Sequence, residues 1–353
     1  MGIYDSVSNV IRHFGCRLGA ASLLGVLVLA LTGCGAFPAP GYSEKTGAEV
    51  MMDTYMTFSI KARPGENADS LYDSIVDKGR FLEKDLISGY IEGSELSRIN
   101  ESAGKAEGYP LSGEMEEYLT DCLEISEKSG GAFDISLGAL IELWNLEDAI
   151  KNETRDYIPP ADEEISDCLK SCGYEKIRIE DHRIFIPEGM RLELGAVGKG
   201  ILLDSAGEEV SKISSGILAA GGSIRTIGYK PGGGKWNIAV RDPFDTGEIA
   251  ESVGLLGDYF VSTSGDYERF IKADDKKYHH IFDPKTGYPA DSGLTSVTVV
   301  MKAEEGSGLL SDALSTAIFV LGENEGRVLA NEYGVYVIMI RDDGKIVRYG
   351  ELR

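Results

Sequence analysis

Three short turns rich in small residues carry the side chains best suited to chemistry. They are Gly130–Asp134, Glu193–Gly200 and Ser311–Thr316, and each precedes or opens an expected helix. Small residues let a ligand approach the backbone, and the first turn of a helix presents free N–H groups and a partial positive charge. Lys199 adds a cation to an otherwise acidic chain. The three turns therefore predict a phosphate-bearing ligand.

Asp312 and Thr316 have the spacing of a metal-binding pair. Residues four apart on a helix share a face, so their oxygens would lie one turn apart. A carboxylate and a hydroxyl with a backbone carbonyl nearby suit Mg²⁺, which keeps some waters and accepts phosphate oxygens. Both residues also have ordinary structural roles, Asp312 as a helix N-cap and Thr316 as a hydroxyl bonded within its helix. The spacing alone leaves both interpretations open.

The chain lacks several common catalytic and nucleotide-binding motifs. Glu193 and Gly200 stand where a P-loop needs Gly and Ser or Thr, and neither G-x-G-x-x-G nor G-x-S-x-G occurs. The 353 residues include 35 Lys and Arg against 58 Asp and Glu, a formal net charge of −23. Such an acidic protein is not expected to bind nucleic acid, because phosphate contacts need a cationic surface.

The N-terminal residues predict a lipoprotein signal peptide. Arg12 and Arg17 precede the apolar run Leu18–Leu31, which is short for a membrane span but suits the core of a signal peptide. Leu31-Thr32-Gly33-Cys34 resembles the bacterial lipobox, in which cleavage exposes the cysteine for lipid attachment. A short buried helix is the alternative interpretation of the same run.

This interpretation divides the chain into three parts. We expect residues 1–33 to be a signal peptide, residues 34–50 a lipidated tether and residues 51–353 the folded domain. Lipid on Cys34 would attach the domain to the membrane, at the extracytoplasmic face of the bacterial cell.

The folded part predicts an α+β fold: a single large mixed domain of antiparallel sheets with packed helices. The hydrophobic patterns predict strands at Met56–Ile60, Lys176–Ile179, Arg183–Ile186, Gly216–Ala220, Trp236–Val240, Ser296–Met301 and Val335–Ile340. They predict helices at Asp69–Ile87, Gly113–Ser129, Gly198–Ile213 and Asp312–Leu321. Gly130 and Gly131 are expected to cap the second helix, and Asn145–Pro160 is expected to be an acidic loop.

Eight segments taken together resemble the ApbE family, the bacterial FAD:protein FMN transferases. In family order they are Met52–Thr54, Tyr90 with Glu95–Asn100, Gly131–Ile135 with Trp144, Glu193–Gly200, Ala219–Ser223, Ser262–Gly265, His280–Pro289 and Asp312–Thr316. Each segment alone is a weak signal, but eight in family order are specific. The resemblance implies an ApbE-like fold related to the T-fold.

The resemblance also implies a binding site for FAD as substrate and for Mg²⁺. The implied FAD contacts are Met52, Tyr90, Ala132, Phe133, Asp134, Glu193, Lys199 and Ile281. The implied metal contacts are Ala196 through its carbonyl, Asp312, Ser315 and Thr316. Some members of the family carry Asp where this chain has Ser315. Of the aromatic residues, Tyr90 and Phe133 could stack on the isoalloxazine or the adenine, with a place in the hydrophobic core as an equal alternative.

The implied reaction transfers FMN from FAD to a Thr or Ser hydroxyl of a partner protein and releases AMP. The acceptor motif is close to Asp-Gly-x-[Ser/Thr]-[Ser/Thr]-x-Thr, and the acceptor would be a redox-pump subunit or an extracytoplasmic flavoprotein. His280 and Asp283 are candidates for the base that accepts the hydroxyl proton, with a structural role for His280 as an equal alternative. We expect His279 to lie at the surface.

Two other functions fit the same residues. A Mg²⁺-dependent FAD pyrophosphatase would use water as the nucleophile and release FMN and AMP. A non-enzymatic surface lipoprotein would only bind flavin. The sequence does not separate transferase from pyrophosphatase, since the choice depends on whether the site admits a peptide.

Overall fold

An eight-stranded antiparallel sheet lies at the centre of this computed structural model, which describes residues 42–154, 156–274 and 276–352. The strands in chain order are β1 (Glu44–Met51), β2 (Thr54–Ala62), β3 (Tyr109–Pro110), β4 (Arg178–Glu180), β5 (Arg183–Phe185), β6 (Ile213–Ala220), β7 (Ser223–Gly228), β8 (Trp236–Arg241), β9 (Ile249–Leu255), β10 (Tyr259–Gly265), β11 (Phe270–Ala273), β12 (Lys276–His279), β13 (Leu294–Lys302), β14 (Tyr336–Arg341) and β15 (Ile346–Tyr349). The order across the large sheet is β1-β2-β6-β7-β10-β13-β14-β15. Strands β3, β5 and β4 form a small sheet, and β8–β9 and β11–β12 are separate hairpins.

The helices of the described residues are α1 (Ala68–Phe81), α2 (Glu95–Glu101), α3 (Gly113–Lys128), α4 (Gly138–Trp144), α5 (Leu146–Lys151), α6 (Asp162–Leu169), α7 (Gly198–Ser205), α8 (Gly207–Val210) and α9 (Ser307–Tyr333). Helices α1, α7 and α9 pack against the large sheet. A π-helical turn, Leu82–Ile87, continues α1. Helix α9 packs along β10 and β13 and is interrupted at Gly322, where the backbone leaves helical geometry.

The sheet buries apolar residues on both faces. Phe58, Phe260 and Val297 point toward the helices and join the main core. Residues in alternate positions, among them Ile217 and Val261, pack beneath the β8–β9 hairpin in a second core. The central strands are therefore hydrophobic throughout, as their sequences predict.

The prediction of a single α+β domain is confirmed, because all described residues belong to one compact unit of mixed helices and antiparallel sheets. The C-terminal cap of α3 is confirmed too: Gly130 and Gly131 have φ of 61° and 80°. The N–H of Gly131 donates to the carbonyl of Ser126 and so satisfies one of the last carbonyls of the helix. The hairpin after residue 176 is also present, as β4 and β5.

The prediction of a tether over residues 34–50 is wrong for its last part. Glu44–Met51 form the edge strand β1, which pairs with β2 along its whole length. One face of β1 lies against α1, where Lys45 contacts Asp69 at 2.7 Å, and the other face is exposed. The strand therefore lacks the apolar alternation that would reveal it in the sequence. The predicted signal peptide, Cys34 and the start of the tether lie outside the described residues.

Two smaller expectations need correction. The segment Asn145–Pro160, expected to be a loop, contains the short helix α5, which buries Leu146 and Ala149. The helix expected over Gly198–Ile213 is broken at Ala206 into α7 and α8. Within the described residues, no helix combines the length and apolarity that crossing a membrane requires.

Candidate functional site

Helices α7 and α9 touch backbone to backbone at a pair of glycines. A Cβ atom added to Gly200 would lie 2.1 Å from the carbonyl oxygen of Gly308, and one added to Gly308 would lie 2.4 Å from that of Gly200. Asp204 holds the same crossing, because its carboxylate accepts the N–H groups of Gly308 and Leu309 at 3.0 and 2.8 Å. The crossing brings the Glu193–Gly200 turn beside the start of α9.

Asp312 lies buried at this crossing, with 3% of its surface exposed. Its Oδ2 accepts the N–H of Gly200 at 2.8 Å, and its Oδ1 accepts the hydroxyl of Ser223 at 2.6 Å. Asp312 belongs to the second turn of α9, whose N-cap position is Gly306, so the N-cap interpretation is wrong. A carboxylate oxygen can accept more than one bond, which leaves Asp312 capacity for a further partner.

Three hydroxyls, Ser264, Ser315 and Thr316, form a cluster next to Asp312. The Oγ of Ser264 on β10 lies 2.7 Å from the Oγ of Ser315 and 3.1 Å from the Oγ1 of Thr316. Ser315 also donates to the main-chain carbonyl of Asp312 at 2.9 Å. We call these three residues the hydroxyl cluster. The structure thus brings together the three α9 residues that the sequence associates with a metal.

The oxygens around Asp312 fit a hard cation. Among the described residues, no group of three His, Cys, Asp or Glu side chains could hold a metal ion. One carboxylate and the neutral hydroxyls of the cluster instead offer an incomplete set of oxygens. Ala196 lies exposed in the turn before α7. Mg²⁺ commonly binds in this way, with waters and phosphate oxygens supplying the rest.

The β1–β2 hairpin and the turn between β6 and β7 lie at the start of α7. Met52, at φ 51° in the β1–β2 turn, donates its N–H to Glu83 at 2.7 Å. A Cβ atom on Gly198 would lie 3.8 Å from the Sδ of Met52. A Cβ atom on Gly221 would lie 3.5 Å from the Cδ of Lys199, so the lysine side chain passes over that turn.

His280 has the hydrogen bonding of a neutral base. Its Nδ1 lies 3.2 Å from the carbonyl oxygen of Arg269, and because a carbonyl only accepts, Nδ1 carries the hydrogen. The Nε2 atom is then left with a free lone pair. Burial, together with the positive charges of Arg269 and Lys199, lowers the pKa of His280 to about 3. The influence of Lys199 also places the two side chains within electrostatic reach of each other.

Asp283, the other candidate base, and the neighbouring His279 both make structural hydrogen bonds. Contrary to expectation, His279 is buried; its Nε2 donates to the Ala290 carbonyl at 3.0 Å, and its Nδ1 accepts the N–H of Ile281 at 3.3 Å. Asp283 accepts the N–H of Lys285 at 2.9 Å and shapes the turn after Phe282. The geometry therefore favours His280 over Asp283 as the base.

Glu193 and Tyr90 form a second polar pair. Glu193 accepts the N–H of Gly195 at 2.7 Å and forms a side-chain hydrogen bond with Tyr90. Burial raises the pKa of Glu193, and burial and the Glu193 charge together raise the pKa of the Tyr90 hydroxyl. The Tyr90 ring is 58% exposed, so a planar ligand could stack on it.

Four residues implied as FAD contacts have side chains that are buried or already hydrogen-bonded within the protein. Phe133 is 2% exposed and belongs to the main core, so the expectation that its ring stacks on the ligand is wrong. Ala132 and Ile281 are also buried. The carboxylate of Asp134 accepts the N–H groups of Ser136 and Tyr174 at 2.8 and 3.0 Å, and burial raises its pKa. Ala132, Phe133 and Asp134 belong to the turn after α3, and the carbonyl of Ile135 in the same turn accepts the N–H of Glu193 at 2.8 Å.

Asn100 fixes the backbone next to Glu193 through hydrogen bonds to Leu192. It was not identified as a site residue from the sequence. Its side-chain amide accepts the N–H of Leu192 at 2.7 Å and donates to the carbonyl of Leu192 at 3.0 Å. The signal was present in the sequence, because Asn100 ends one of the family segments. An amide side chain that satisfies both backbone groups of a residue fixes the path of the chain there.

Replacing Asn100 with alanine is expected to lower the free energy of unfolding by about 1–3 kcal/mol, because Leu192 would keep two unpaired backbone groups in a buried place. Urea unfolding would measure the change. Glu101→Ala, an exposed neighbour on the same helix, is the control and should shift stability by less than about 0.5 kcal/mol. Equal effects of the two substitutions would contradict this role.

Replacing Gly200 with alanine is expected to lower the free energy of unfolding by about 3 kcal/mol or more, since the new Cβ meets the backbone of α9 and no side chain can move aside. Thermal and urea unfolding would measure it. Gly207→Ala is the matched control: a Cβ there has no neighbour within 4 Å, and alanine favours the helix. A stable Gly200→Ala protein would show that α7 and α9 are not held together at this point.

Comparisons with known proteins agree on one family. Residues 52–339 match the sequence model of the ApbE family. The FAD:protein FMN transferase of Treponema pallidum (strain Nichols) is 31% identical over 346 residues, which cover 92% of each chain. The crystal structure of the ApbE protein of Thermotoga maritima has a TM-score of 0.76 at 29% identity, over 87% of this chain and 97% of that one. The flavin transferase ApbE of Vibrio cholerae has a TM-score of 0.72 at 28% identity, over the same shares.

Proposed function

The chain belongs to the ApbE family, and from this premise we propose that it is an enzyme that transfers FMN from FAD to a hydroxyl of an acceptor protein. The contact between the N–H of Gly200 and the carboxylate of Asp312, 2.8 Å long, carries the proposal. It joins the turn that bears Lys199 to the helix that bears the implied metal residues. The ammonium group of Lys199 could contact a diphosphate bound at this junction. The oxygens of α9 could hold a metal ion beside the same diphosphate.

The proposed reaction is a direct phosphoryl transfer. A Thr or Ser hydroxyl oxygen of the acceptor attacks the flavin-side phosphorus of FAD and forms a phosphoester bond. The bond from that phosphorus to the bridging oxygen breaks, and AMP leaves. Such a transfer asks the protein mainly for alignment and for neutralisation of phosphate charge.

We assign the hydroxyl proton to the Nε2 atom of His280. A pKa of about 3 makes this imidazole a weak base in the protein without substrate. The imidazole is therefore neutral at physiological pH, and its Nε2 lone pair can accept the proton while the phosphoester bond forms.

We further propose Mg²⁺ as the cation. Asp312, Ser315, Thr316 and the carbonyl of Ala196 would hold it, and their oxygen donors support this choice. When bound, Mg²⁺ neutralises phosphate charge that would otherwise repel the attacking oxygen. For the flavin, we propose contacts with Met52, Tyr90, Glu193 and Lys199, and the support for this choice is that these four residues are exposed or partly exposed.

Mass spectrometry tests the function. The protein is incubated with FAD, Mg²⁺ and a peptide that carries the acceptor motif Asp-Gly-x-[Ser/Thr]-[Ser/Thr]-x-Thr. We expect the peptide to gain FMN and the solution to gain an equal amount of AMP. A peptide with alanine for the last threonine is the control. Release of free FMN with AMP, without peptide modification, would instead identify a pyrophosphatase, and no turnover at all would leave only a flavin-binding lipoprotein.

We also propose that the enzyme is anchored by lipid on Cys34 at the extracytoplasmic face of the bacterial membrane, where its acceptor, a redox-pump subunit or an extracytoplasmic flavoprotein, would lie. The apolar run and the lipobox-like residues before Cys34 support this. Cys34→Ser is expected to abolish incorporation of labelled palmitate and to release the protein from membranes. Labelling of the variant at the same level as the natural sequence would refute the anchor.

A further inference from the structure

Arg269 and His280 lie opposite each other at the open end of the β11–β12 hairpin. The last pair within the strands is Phe270 with His279. The carbonyl of Arg269 accepts two hydrogen bonds from His280, one from its main-chain N–H at 3.3 Å and one from its Nδ1 at 3.2 Å. The second bond decides which ring nitrogen carries the hydrogen. The position of this one carbonyl therefore determines whether Nε2 is free to accept a proton.

Helix α5 holds the side chain of Arg269 from outside the hairpin. The Nη1 atom of Arg269 lies 2.7 Å from the Oε1 atom of Glu147. Ile150 on α5 and Ile271 on β11 pack against the same buried cluster around Trp144, so the helix and the strand share a core. The ion pair adds a polar contact to this packing, at the residue that contacts His280.

A purely structural ion pair is the alternative. The side chains of Arg269 and Glu147 are 39% and 47% exposed, and an ion pair this open adds little to the stability of a fold. Its position matters more than its energy, because Arg269 carries the carbonyl that orients the proposed base. The bond from Nδ1, at 3.2 Å, is already at the long end of hydrogen-bond distances, so a small displacement of the carbonyl would break it.

We propose that Glu147 is a positioning residue for the transfer reaction: through its ion pair with Arg269 it keeps the Arg269 carbonyl directed at Nδ1 of His280, and so keeps Nε2 free for the acceptor hydroxyl. This inference rests on the proposed function, in which His280 is the base. The role requires no contact between Glu147 and either substrate.

The tautomer of His280 is the first readout, measured by NMR on the full chain labelled with ¹⁵N-histidine. The chain has four histidines, and the signal that disappears in His280→Gln identifies this one. At neutral pH the ring is uncharged, and we expect the natural chain to carry the hydrogen on Nδ1. Glu147→Ala should increase the fraction with the hydrogen on Nε2. Glu147→Lys, which repels Arg269, should increase it further.

The rate of transfer is the second readout. At saturating FAD, Mg²⁺ and acceptor peptide, we expect Glu147→Ala to lower kcat by roughly 2- to 5-fold, the range that a partly exposed ion pair can contribute. Saturation is needed because the charge of Glu147 also reaches Tyr90 and Glu193, so its removal changes FAD affinity as well. In an Arg269→Ala chain the same substitution should have no further effect on kcat, because Glu147 acts through Arg269.

Lys151→Ala is the matched control. Lys151 lies one turn further along α5 and pairs with Asp53, its Nζ atom 3.6 Å from Oδ2. Removal of this ion pair changes the same helix without touching Arg269, so the tautomer of His280 should stay as it is in the natural chain. Thermal unfolding verifies that every variant remains folded.

Three results would overturn the inference: an unchanged His280 tautomer in both Glu147 variants, equal tautomer shifts in Glu147→Ala and Lys151→Ala, or a tautomer shift without any change in kcat. Each could occur while FMN is still transferred to the acceptor peptide, which would leave the proposed function intact. Absence of transfer by the natural chain under all conditions would instead refute the proposed function itself.

Discussion

Asp312→Asn is expected to reduce FMN transfer by on the order of a hundredfold to a thousandfold, the usual cost of removing one electrostatic contact to a transition state. The amide oxygen can still accept the N–H of Gly200, and the hydroxyl of Ser223 can turn to accept from the amide nitrogen. The fold should therefore persist while the single negative charge of the site is lost. Initial rates at several Mg²⁺ concentrations, together with thermal unfolding, would measure both effects.

The control for this variant is Asp258→Asn. Asp258 also accepts a backbone N–H, that of Gly228, but it lies at an exposed turn outside the site. It should retain nearly full activity. An Asp312→Asn protein with normal turnover and normal Mg²⁺ dependence would remove Asp312 from the proposed cation site.

The sequence was sufficient for the site's two main segments, and the reason is local. Small residues before a helix have the same consequence wherever the helix lies, so Lys199 could be linked to a phosphate before any contact was known. Asp312 could be linked to a cation through its spacing from Thr316. The expectation that Ser311–Thr316 opens a helix is wrong, because α9 already begins at Ser307. The contact between these two segments could not be predicted from local features. Gly200 and Asp312 are 112 residues apart, and only the resemblance of ordered segments suggested that they meet.

Residues that act through tertiary contacts could not be recognised. Ser264 is an ordinary strand residue until α9 places Ser315 and Thr316 opposite it. Phe133 and His279 were misjudged for the same reason, since an aromatic or a histidine in a loop segment gives no sign of whether the core will enclose it. Asn100 belongs to a recognised segment, but its role depends on its contact with Leu192, 92 residues away in the sequence.

His280→Gln is expected to lower transfer by on the order of a hundredfold to ten-thousandfold, the usual contribution of a general base, while FAD affinity changes little. Glutamine can still donate to the Arg269 carbonyl but has no basic nitrogen. Single-turnover rates and FAD fluorescence would separate the two quantities. His182→Gln replaces an exposed histidine in the β4–β5 turn and serves as the control, with activity unchanged.

The pH dependence of the natural enzyme provides a second check on His280. The neutral imidazole is the active form, and kcat/KM reports the free enzyme, in which the pKa is about 3. No loss of kcat/KM from this group is therefore expected between pH 7 and 5. An acid limb of kcat/KM with a pKa near 6.5, the ordinary value for histidine, that is present in the natural enzyme and absent from His280→Gln would contradict this assignment.

The same shift has a consequence for stability. The pKa of His280 is about 3 in the folded protein and about 6.5 in an unfolded chain. As the pH falls below about 6.5, the unfolded chain binds the proton and the folded protein does not, so stability is lost progressively toward pH 3. His280→Gln should therefore lose less free energy of unfolding between pH 7 and 5 than the natural chain does. Urea unfolding at the two pH values measures the difference, and parallel losses in the two proteins would show that His280 is not held neutral by burial.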